Sequence, residues 1–260
     1  MNILLILTFL FSIGSMLGWC LEVFYRHFVL VKTNAENKWI NPGFLTGPCL
    51  PIYGFGLCIL YLLASLEQYS LIDNYILNKI VLFLTMAVFM TLIEYIAGII
   101  FIKGMNVKLW DYSDRKGNIQ GIICPLFSFF WAILGAAYYF LIHPYILNAL
   151  LWLSNNLTFS FFIGMFFGIF IIDVIFSANL LVKIKAFADD NQIVVRYEGL
   201  KETVRRTRER QKKKANFIFA LYSETPIAEQ LKAYLEKERE LASKIKEEIE
   251  KRKPFKTKNH

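Results

Sequence analysis

The chain has 260 residues, of which 56% are apolar and 19% are charged, and its formal net charge is +8. Because the apolar residues come in long blocks that one core of this size cannot bury, the composition excludes an ordinary soluble domain. The four cysteines show no paired C-x-x-C spacing, so the sequence predicts neither a disulfide framework nor a metal site.

Five apolar runs, taken in chain order, are each long enough to cross roughly 30 Å of hydrocarbon as a helix. They cover residues 3–25, 49–66, 79–102, 121–142 and 157–182. The sequence therefore predicts an all-α polytopic membrane protein. Its transmembrane domain is expected over 1–182, and a basic helical tail is expected over 183–260.

The cations of the membrane domain lie in alternate loops, and this pattern predicts the orientation. The other loops have only Lys79, at a helix edge, whereas the first and third loops hold Arg26, Lys32, Lys38, Lys103, Lys108, Arg115 and Lys116. By the positive-inside rule we expect a multi-pass protein of the cell membrane with its N-terminus outside. Both cationic loops and the tail are then cytoplasmic.

One short frame, Gly-x3-Gly-x3-Pro, occurs twice, as GFLTGPCLP at 43–51 and as GNIQGIICP at 117–125. Proline suits the first turn of a helix and glycines allow close packing, so each copy predicts the entrance of a membrane helix. We expect two parallel two-helix repeats, 1–66 and 79–142, and one extra helix, 157–182. The alternative is that small residues simply let membrane helices touch. The predicted entrance residues are Gly43, Gly47, Pro51, Gly54, Gly117, Gly121 and Pro125.

Three acidic residues, Glu22, Glu94 and Asp173, interrupt the apolar runs. Glu94 and Asp173 each precede the next lysine by nine or ten residues, which places both roughly 13 to 15 Å inside the boundary. A charged carboxylate at such depth costs about 2.5 to 3.5 kcal/mol, so these acids are candidates for binding a substrate or a proton. Glu22 lies nearer the interface, one helical turn from Arg26. The alternative is a buried carboxyl group that only bonds a neighbouring helix.

The third loop contains LWDYSDRKGN, residues 109–118, and adds Asp111 and Tyr112 to the polar groups on the cytoplasmic side. Because this loop, Glu22 and both glycine-proline entrances share that side, we expect a polar pocket that is open to the cytoplasm. An interfacial anchor, in which Asp111 caps backbone N–H groups, is the alternative interpretation of this loop.

Several motifs in a fixed order resemble a known family. They are GW followed by Glu22, then NPGFLTGPCLPIYGFG, Glu94 in the third helix, WDYS, and a Gly/Cys/Pro entrance that leads to Trp131. Over residues 5–180 this order is similar to that of the type IV ABC-transporter permease family of small bacterial membrane proteins. The resemblance implies the membrane component of a transporter. Asp173 is a candidate from its depth alone, whereas the resemblance points to Glu22, Asn41, Gly43, Gly47, Pro51, Gly54, Glu94, Asp111, Tyr112, Gly121 and Trp131.

The tail contains a strongly basic run, KETVRRTRERQKKK, at 201–214. Each Lys or Arg near an anionic leaflet contributes about 1 kcal/mol, so we predict contact with anionic lipid headgroups. Nucleic acid is disfavoured because the run has no aromatic platform. The cations concerned are Lys201, Arg205, Arg206, Arg208, Arg210, Lys212, Lys213 and Lys214. An apolar seam then predicts a helix that either pairs as a coiled coil or packs on the basic helix, through Ile227, Leu231, Tyr234, Leu241 and Ile245.

Three functions fit these observations. The first is a permease-like protein that moves a substrate, with Glu94 and Asp173 as proton or cation sites. The chain has no G-x4-G-K-[ST] loop, so an ABC mechanism requires an ATPase subunit on a separate chain. The second is a membrane-embedded enzyme acting on a lipid or isoprenoid, with Glu22, Glu94 and Asp111 as acid/base groups. The third is a non-catalytic assembly factor whose tail recruits a partner.

We assign no catalytic residue and no cofactor from the sequence, and both a monomer and a homo-oligomer are compatible with it.

Overall fold

The computed structural model describes residues 2–28, 41–69, 72–210 and 226–251. Five of its helical stretches are long and apolar enough to cross a membrane, which confirms the predicted all-α polytopic fold. These spans are Ile3–Phe28, Pro51–Tyr69, Tyr75–Gly104, Pro125–Asn155 and Leu157–Asp190.

Six α-helices and four short turns make up these spans. The helices are α1 (Ile3–Phe28), α2 (Pro51–Leu66), α3 (Tyr75–Ile99), α4 (Pro125–Ala137), α5 (His143–Asn155) and α6 (Ser160–Asp190). The turns are two of 3₁₀ type, Glu67–Tyr69 and Leu157–Phe159, and two of π type, Ile100–Gly104 and Tyr138–Ile142.

The fourth and fifth spans extend beyond their predicted ends. The fourth apolar run stops at residue 142, but a π turn carries the chain from α4 into α5 within one span. Pro144 lies in the first turn of α5, directly after the π turn. Because proline has no N–H to donate, the regular α-helical hydrogen-bond pattern is interrupted at this point. The fifth span continues to Asp190 because Leu181 and Ile184 pack under the tail.

Two helical hairpins, α1–α2 and α3–α4, form the centre of the membrane domain, and glycines set the helix contact in each. A Cβ atom at Gly54 would lie 2.2 Å from Ser15 Oγ, across the α1–α2 contact. Across the α3–α4 contact, a Cβ atom at Gly135 would lie 3.1 Å from Met86 Cβ. The absence of a side chain at Gly54 and Gly135 therefore allows these helices to approach closely.

The two hairpins share one hydrophobic core, and α6 packs beside it. Phe11 of α1 meets Phe167 and Phe170 of α6 at ring-centroid distances of 5.7 Å and 5.4 Å. Many apolar side chains of α6 are exposed, as expected for a helix that faces lipid. The core itself contains Leu10, Leu60, Ala64, Leu82, Met86, Met90, Tyr138, Ile146 and Leu150.

The two Gly-x3-Gly-x3-Pro stretches share the conformation of their first glycine where the chain enters α2 and α4, but not that of the second, because Gly121 has a φ of 68° and Gly47 has no positive φ. The first glycine of each stretch, Gly43 or Gly117, has a φ of 73° or 70°. Glycine adopts this left-handed region without the steric penalty of a side chain. Pro51 and Pro125 lie in the first turns of α2 and α4, where the sequence predicted them.

The tail packs on the end of the bundle where α1 and α3 end and α2 and α4 begin, which we call the tail end. Strand β1 (Val107–Lys108) pairs in parallel with β2 (Val195–Arg196). Helices α7 (Tyr197–Arg210) and α8 (Ile227–Lys251) follow. Together with the end of α6 they build a second core of Val107, Leu181, Ile184, Ala188, Val195, Tyr197, Leu200, Val204, Leu231 and Tyr234.

The apolar seam of α8 divides into two halves. Leu231 and Tyr234 are buried in the second core, as the packing alternative predicted. Leu241 and Ile245, by contrast, are 45% and 57% exposed. Only the first half of the seam therefore holds α8 on the body of the protein.

Lys201 does not have the predicted leaflet contact. Its side chain is buried, and its ammonium group donates hydrogen bonds to the carbonyl oxygens of Asn41 and Gly43, both at 2.7 Å. Burial, followed by the nearby Arg26 cation, lowers the pKa of Lys201 to about 7. The prediction was wrong for this residue because its face of α7 packs on the entrance of α2.

The other cations of the basic run have different surroundings. Arg205 and Arg206 both pair with Glu202, at 2.8 Å and 2.6 Å, and 57% of the Arg206 side chain is exposed. The leaflet contact stays a prediction for Arg205 and Arg206. It also stays a prediction for the cations whose side chains lie outside the described residues, namely Arg208, Arg210, Lys212, Lys213 and Lys214.

Candidate functional site

Glu94 is a carboxyl group buried inside the bundle, with 5% of the residue exposed. Its Oε1 accepts a hydrogen bond from Tyr112 Oη at 2.9 Å, and its Oε2 accepts one from Trp131 Nε1 at 2.9 Å. Both donors are neutral. Within the described part of the chain, these hydrogen bonds rather than an ion pair compensate the burial of this acid.

Glu22 lies at the tail end of α1 and is paired differently. Its Oε1 accepts a hydrogen bond from Arg26 Nε at 2.8 Å, and its Oε2 accepts one from Tyr53 Oη at 2.9 Å. The Glu22 side chain is 21% exposed. Arg26 also contacts Glu198 of α7, so one cation links the membrane domain to the tail.

The two glutamates belong to one polar group of side chains. The ring centroids of Tyr53 and Trp131 are 6.0 Å apart, and these two rings donate to Glu22 and Glu94 respectively. We name Glu22, Tyr53, Glu94, Tyr112 and Trp131 the paired-glutamate cluster. It joins the first hairpin to the second, and its two carboxyl groups with neutral donors between them suit the binding of a proton or small cation.

Tyr112 reaches the cluster from the third loop. Its ring stacks on Phe127 of α4 at a centroid distance of 4.4 Å, and its backbone N–H donates to Gly121 O at 2.8 Å. Burial, followed by the neighbouring Glu94 charge, raises the pKa of Tyr112 well above its ordinary value. The Tyr112 hydroxyl is therefore a protonated donor at physiological pH.

Asp111 serves the backbone of the same loop. Its carboxylate accepts a hydrogen bond from Ser113 N at 3.1 Å and lies 3.4 Å from Lys108 Nζ and 3.2 Å from an Arg196 nitrogen. Partial burial opposes ionisation, but the hydrogen bonds from Ser113 and the two cations hold the pKa of Asp111 below its usual range. Asp111 thus links the third loop to the tail, as the capping alternative describes, and is not a member of the cluster.

Asp173 is held by the entrance of α2. It accepts hydrogen bonds from Thr46 N at 3.1 Å, Gly47 N at 2.9 Å and Ser177 Oγ at 3.2 Å. A Cβ atom at Gly47 would lie 2.9 Å from Asp173 Oδ2, so glycine at this position lets the carboxylate approach. Asp173 is partly buried, and these contacts favour the alternative of a carboxyl group that bonds a neighbouring element.

Asn41 organises the same entrance from the other side. It is buried, its Oδ1 accepts a hydrogen bond from Trp19 Nε1 at 2.6 Å, and its Nδ2 donates to Thr46 O at 2.9 Å. Its own carbonyl oxygen accepts from Lys201. Asn41 therefore connects α1, the entrance of α2 and the tail, and it supports the cluster without belonging to it.

Tyr53 is the cluster member that was not predicted from the sequence. It lies in the first turn of α2, two residues after Pro51 and inside the motif NPGFLTGPCLPIYGFG. The available signal in the sequence was a tyrosine in the first turn of α2, which follows the helix that carries the shallow Glu22. Which face of α2 meets Glu22 depends on helix packing, and the sequence does not state it.

A comparison with protein-family models matches residues 9–178 to the family described as Putative ABC-transporter type IV. The chain belongs to this family. The range matched to the type IV family contains the whole paired-glutamate cluster and ends within α6, so α7 and α8 lie outside it. The comparisons with curated proteins and with solved structures found no match.

Proposed function

We propose that the chain is the permease-like membrane component of a transporter, in which the paired-glutamate cluster binds a proton or small cation as the substrate moves. The observation that carries this proposal is the setting of Glu94, a buried acid in a membrane span whose two oxygens accept from neutral Tyr112 and Trp131. Intramembrane acids are costly, by about 2.5 to 3.5 kcal/mol, and characteristically mark proton or ion pathways.

The predicted cytoplasmic pocket is part of this proposal. The cluster lies toward the tail end of the bundle, and the tail covers the entrance of α2 through Lys201, which holds the carbonyls of Asn41 and Gly43. A substrate that reaches the cluster from this side therefore requires α7 to move. In this proposal the contact between Lys201 and the entrance of α2 controls access of the substrate to the cluster.

Energy for transport comes, in this proposal, from an ATPase subunit on a separate chain. The family description names ABC transporters, and this chain contains no P-loop motif. The third loop and the tail form the surface nearest the cluster on which such a subunit would dock. The substrate stays unassigned.

We also infer that the membrane domain consists of two related two-helix repeats, over 1–66 and 79–142. In support, the first glycine of both frames has a positive φ and both prolines begin a helix. In both hairpins, the odd-numbered helix carries a glutamate whose carboxyl group accepts a hydrogen bond from an aromatic side chain of the following helix, Tyr53 for Glu22 and Trp131 for Glu94. A duplication explains these correspondences without a separate cause for each.

Orientation is testable by cysteine labelling of a cysteine-free variant. Asp114→Cys and Asn155→Cys both place a thiol at an exposed position on opposite ends of the bundle. Because cationic loops stay inside, an impermeant maleimide should label position 155 in intact cells and position 114 only after lysis. Labelling of 114 in intact cells would reverse the proposed topology.

The role of Glu94 is tested by Glu94→Gln. The amide keeps the size of the side chain, can accept from Trp131 and can donate to the Tyr112 oxygen, but it neither ionises nor exchanges a proton. We expect activity in complementation of a gene-deletion strain to fall by about 100-fold or more. Membrane abundance and the thermal midpoint of the purified protein should stay close to wild type.

Two variants accompany Glu94→Gln as controls. Asp114→Asn neutralises an exposed acid of the third loop and should leave activity unchanged. Glu22→Gln should be milder than Glu94→Gln, because Glu22 is more exposed and Arg26 keeps its second partner, Glu198. An active Glu94→Gln protein, or a parallel loss of activity and stability, would assign Glu94 to packing alone.

A further inference from the structure

A second polar group of side chains lies at the end of the bundle opposite the tail. It contains Glu67 after α2, Lys79 on α3, and Tyr139 and His143 around the π turn between α4 and α5. In the sequence, Lys79 stands out only as a cation at a helix edge. In the structure this residue is buried.

The charges in this group neutralise each other. Lys79 Nζ forms an ion pair with Glu67 Oε1, contacts the Tyr139 hydroxyl, and lies 3.9 Å from the centroid of the Tyr139 ring. Tyr139 Oη in turn donates to Glu67 Oε2. The two charged side chains are only 11% and 14% exposed. The ion pair is therefore internally satisfied and contributes no net charge.

Beside this ion pair lies an open depression of about 480 Å³, which is within the size range of small-molecule sites. Its wall combines apolar side chains with several uncharged hydrogen-bonding groups. The residues that line it are Ala64, Ser65, Glu67, Gln68, Asn78, His143 and Leu147.

The wall of the depression is held in place by its own contacts. Asn78 Nδ2 donates to Glu67 Oε1 at 3.2 Å, and the Tyr138 hydroxyl and His143 Nδ1 are 2.9 Å apart. The π turn Tyr138–Ile142 directly precedes His143 of the wall, and π turns are frequent at functional sites. The polar groups are therefore positioned before any ligand arrives.

We propose that this depression binds the uncharged, hydroxyl-rich headgroup of a lipid, such as a diglycosyl headgroup. Amide, imidazole and hydroxyl groups pair with sugar hydroxyls as both donors and acceptors. An anionic headgroup would find no unpaired cation among the described residues of this site, because Lys79 is already paired with Glu67. The depression lies at the ends of membrane spans, and Leu147 on its wall suits an acyl chain.

The test measures binding and does not depend on transport. The full chain is purified in an ethylene-oxide detergent, which has no sugar headgroup to compete, and its thermal midpoint is recorded against added lipid. Diglucosyl diacylglycerol should raise the midpoint saturably. Phosphatidylglycerol with the same acyl chains should have a much weaker effect, and so should free maltose. Equal stabilisation by phosphatidylglycerol or by maltose would overturn the proposal.

Variants locate the binding to the depression. Gln68→Leu and His143→Phe each remove polar groups from the wall and should weaken the apparent affinity for diglucosyl diacylglycerol by about tenfold. Asn148→Leu, an exposed polar position on α5 outside the wall, should leave the affinity unchanged. If either wall variant fails to fold, the other gives the result, and native mass spectrometry of the wild type reports the bound lipid directly. Wild-type affinity in both wall variants would contradict the assignment.

Discussion

Gly54→Val is expected to destabilise the folded membrane domain by about 3 kcal/mol or more, because α1 and α2 lose their close contact. A Cβ atom at Gly54 would lie 2.2 Å from Ser15 Oγ and 2.8 Å from the backbone oxygen of Phe11. The backbone oxygen cannot rotate away, so the helices must separate. The thermal midpoint, measured by fluorescence-detected size exclusion after heating, should fall sharply.

The same substitution on α6 is the matched control for this prediction. A Cβ atom at Gly164 would meet no atom within 4 Å in the described structure. Gly164→Val should therefore leave the midpoint within a few degrees of wild type. Equal destabilisation at both glycines would show that valine harms these helices for reasons other than the α1–α2 contact.

Lys201→Glu is expected to release the tail from the tail end of the bundle. The substitution puts a carboxylate against two carbonyl oxygens in a buried site, and unpaired buried charges cost about 3 to 5 kcal/mol. Docking should weaken by more than about 100-fold. Hydrogen exchange in α7 and proteolysis within residues 191–194 should both accelerate.

Arg206→Glu tests whether charge reversal alone explains such an effect. Arg206 lies on the same helix but is 57% exposed, so its replacement should leave the protection of α7 near wild type. Unchanged protection in Lys201→Glu, or equal loss in both variants, would show that Lys201 does not hold the tail.

The same lysine predicts the pH dependence of docking. Burial lowers the pKa of Lys201 from 10.5 to about 7, so docking releases a proton between these two values. Docking should therefore strengthen by up to about tenfold per pH unit as pH rises above 7, and should be independent of this group below 7. Lys201→Met, which has nothing to titrate, should lose the dependence.

The local features of the fold were readable from the sequence because their causes are local. The preference of proline for the first helical turn and of glycine for a left-handed conformation follows from backbone sterics alone. Pro51 and Pro125 accordingly begin α2 and α4, and Gly43 and Gly117 have a positive φ. The depth of Glu94 also followed from counting residues along a helix. Burial of this acid was thus predictable, although its partners were not.

The long-range features could not be predicted, because they depend on which helix faces meet. Tyr112 and Trp131 donate to Glu94 from 18 and 37 residues away, and Asp173 binds Gly47 from a distance of 126 residues. The burial of Lys201 could not be predicted for the same reason, because nothing in a run of cations indicates which of them packs inward. The spacing of Lys201 from Tyr197 and Val204, which lie four residues before it and three after it and are both buried, was the available signal.

The central claim, that Glu22 and Glu94 act as one site, is tested most directly by a double-mutant cycle on activity. Glu22→Gln, Glu94→Gln and the double variant are compared in the complementation assay at matched membrane abundance. Residues that act as a unit give strongly non-additive effects, so the double variant should be no less active than Glu94→Gln alone. A double variant whose loss equals the product of the two single losses would show two independent acids and contradict the paired-glutamate cluster.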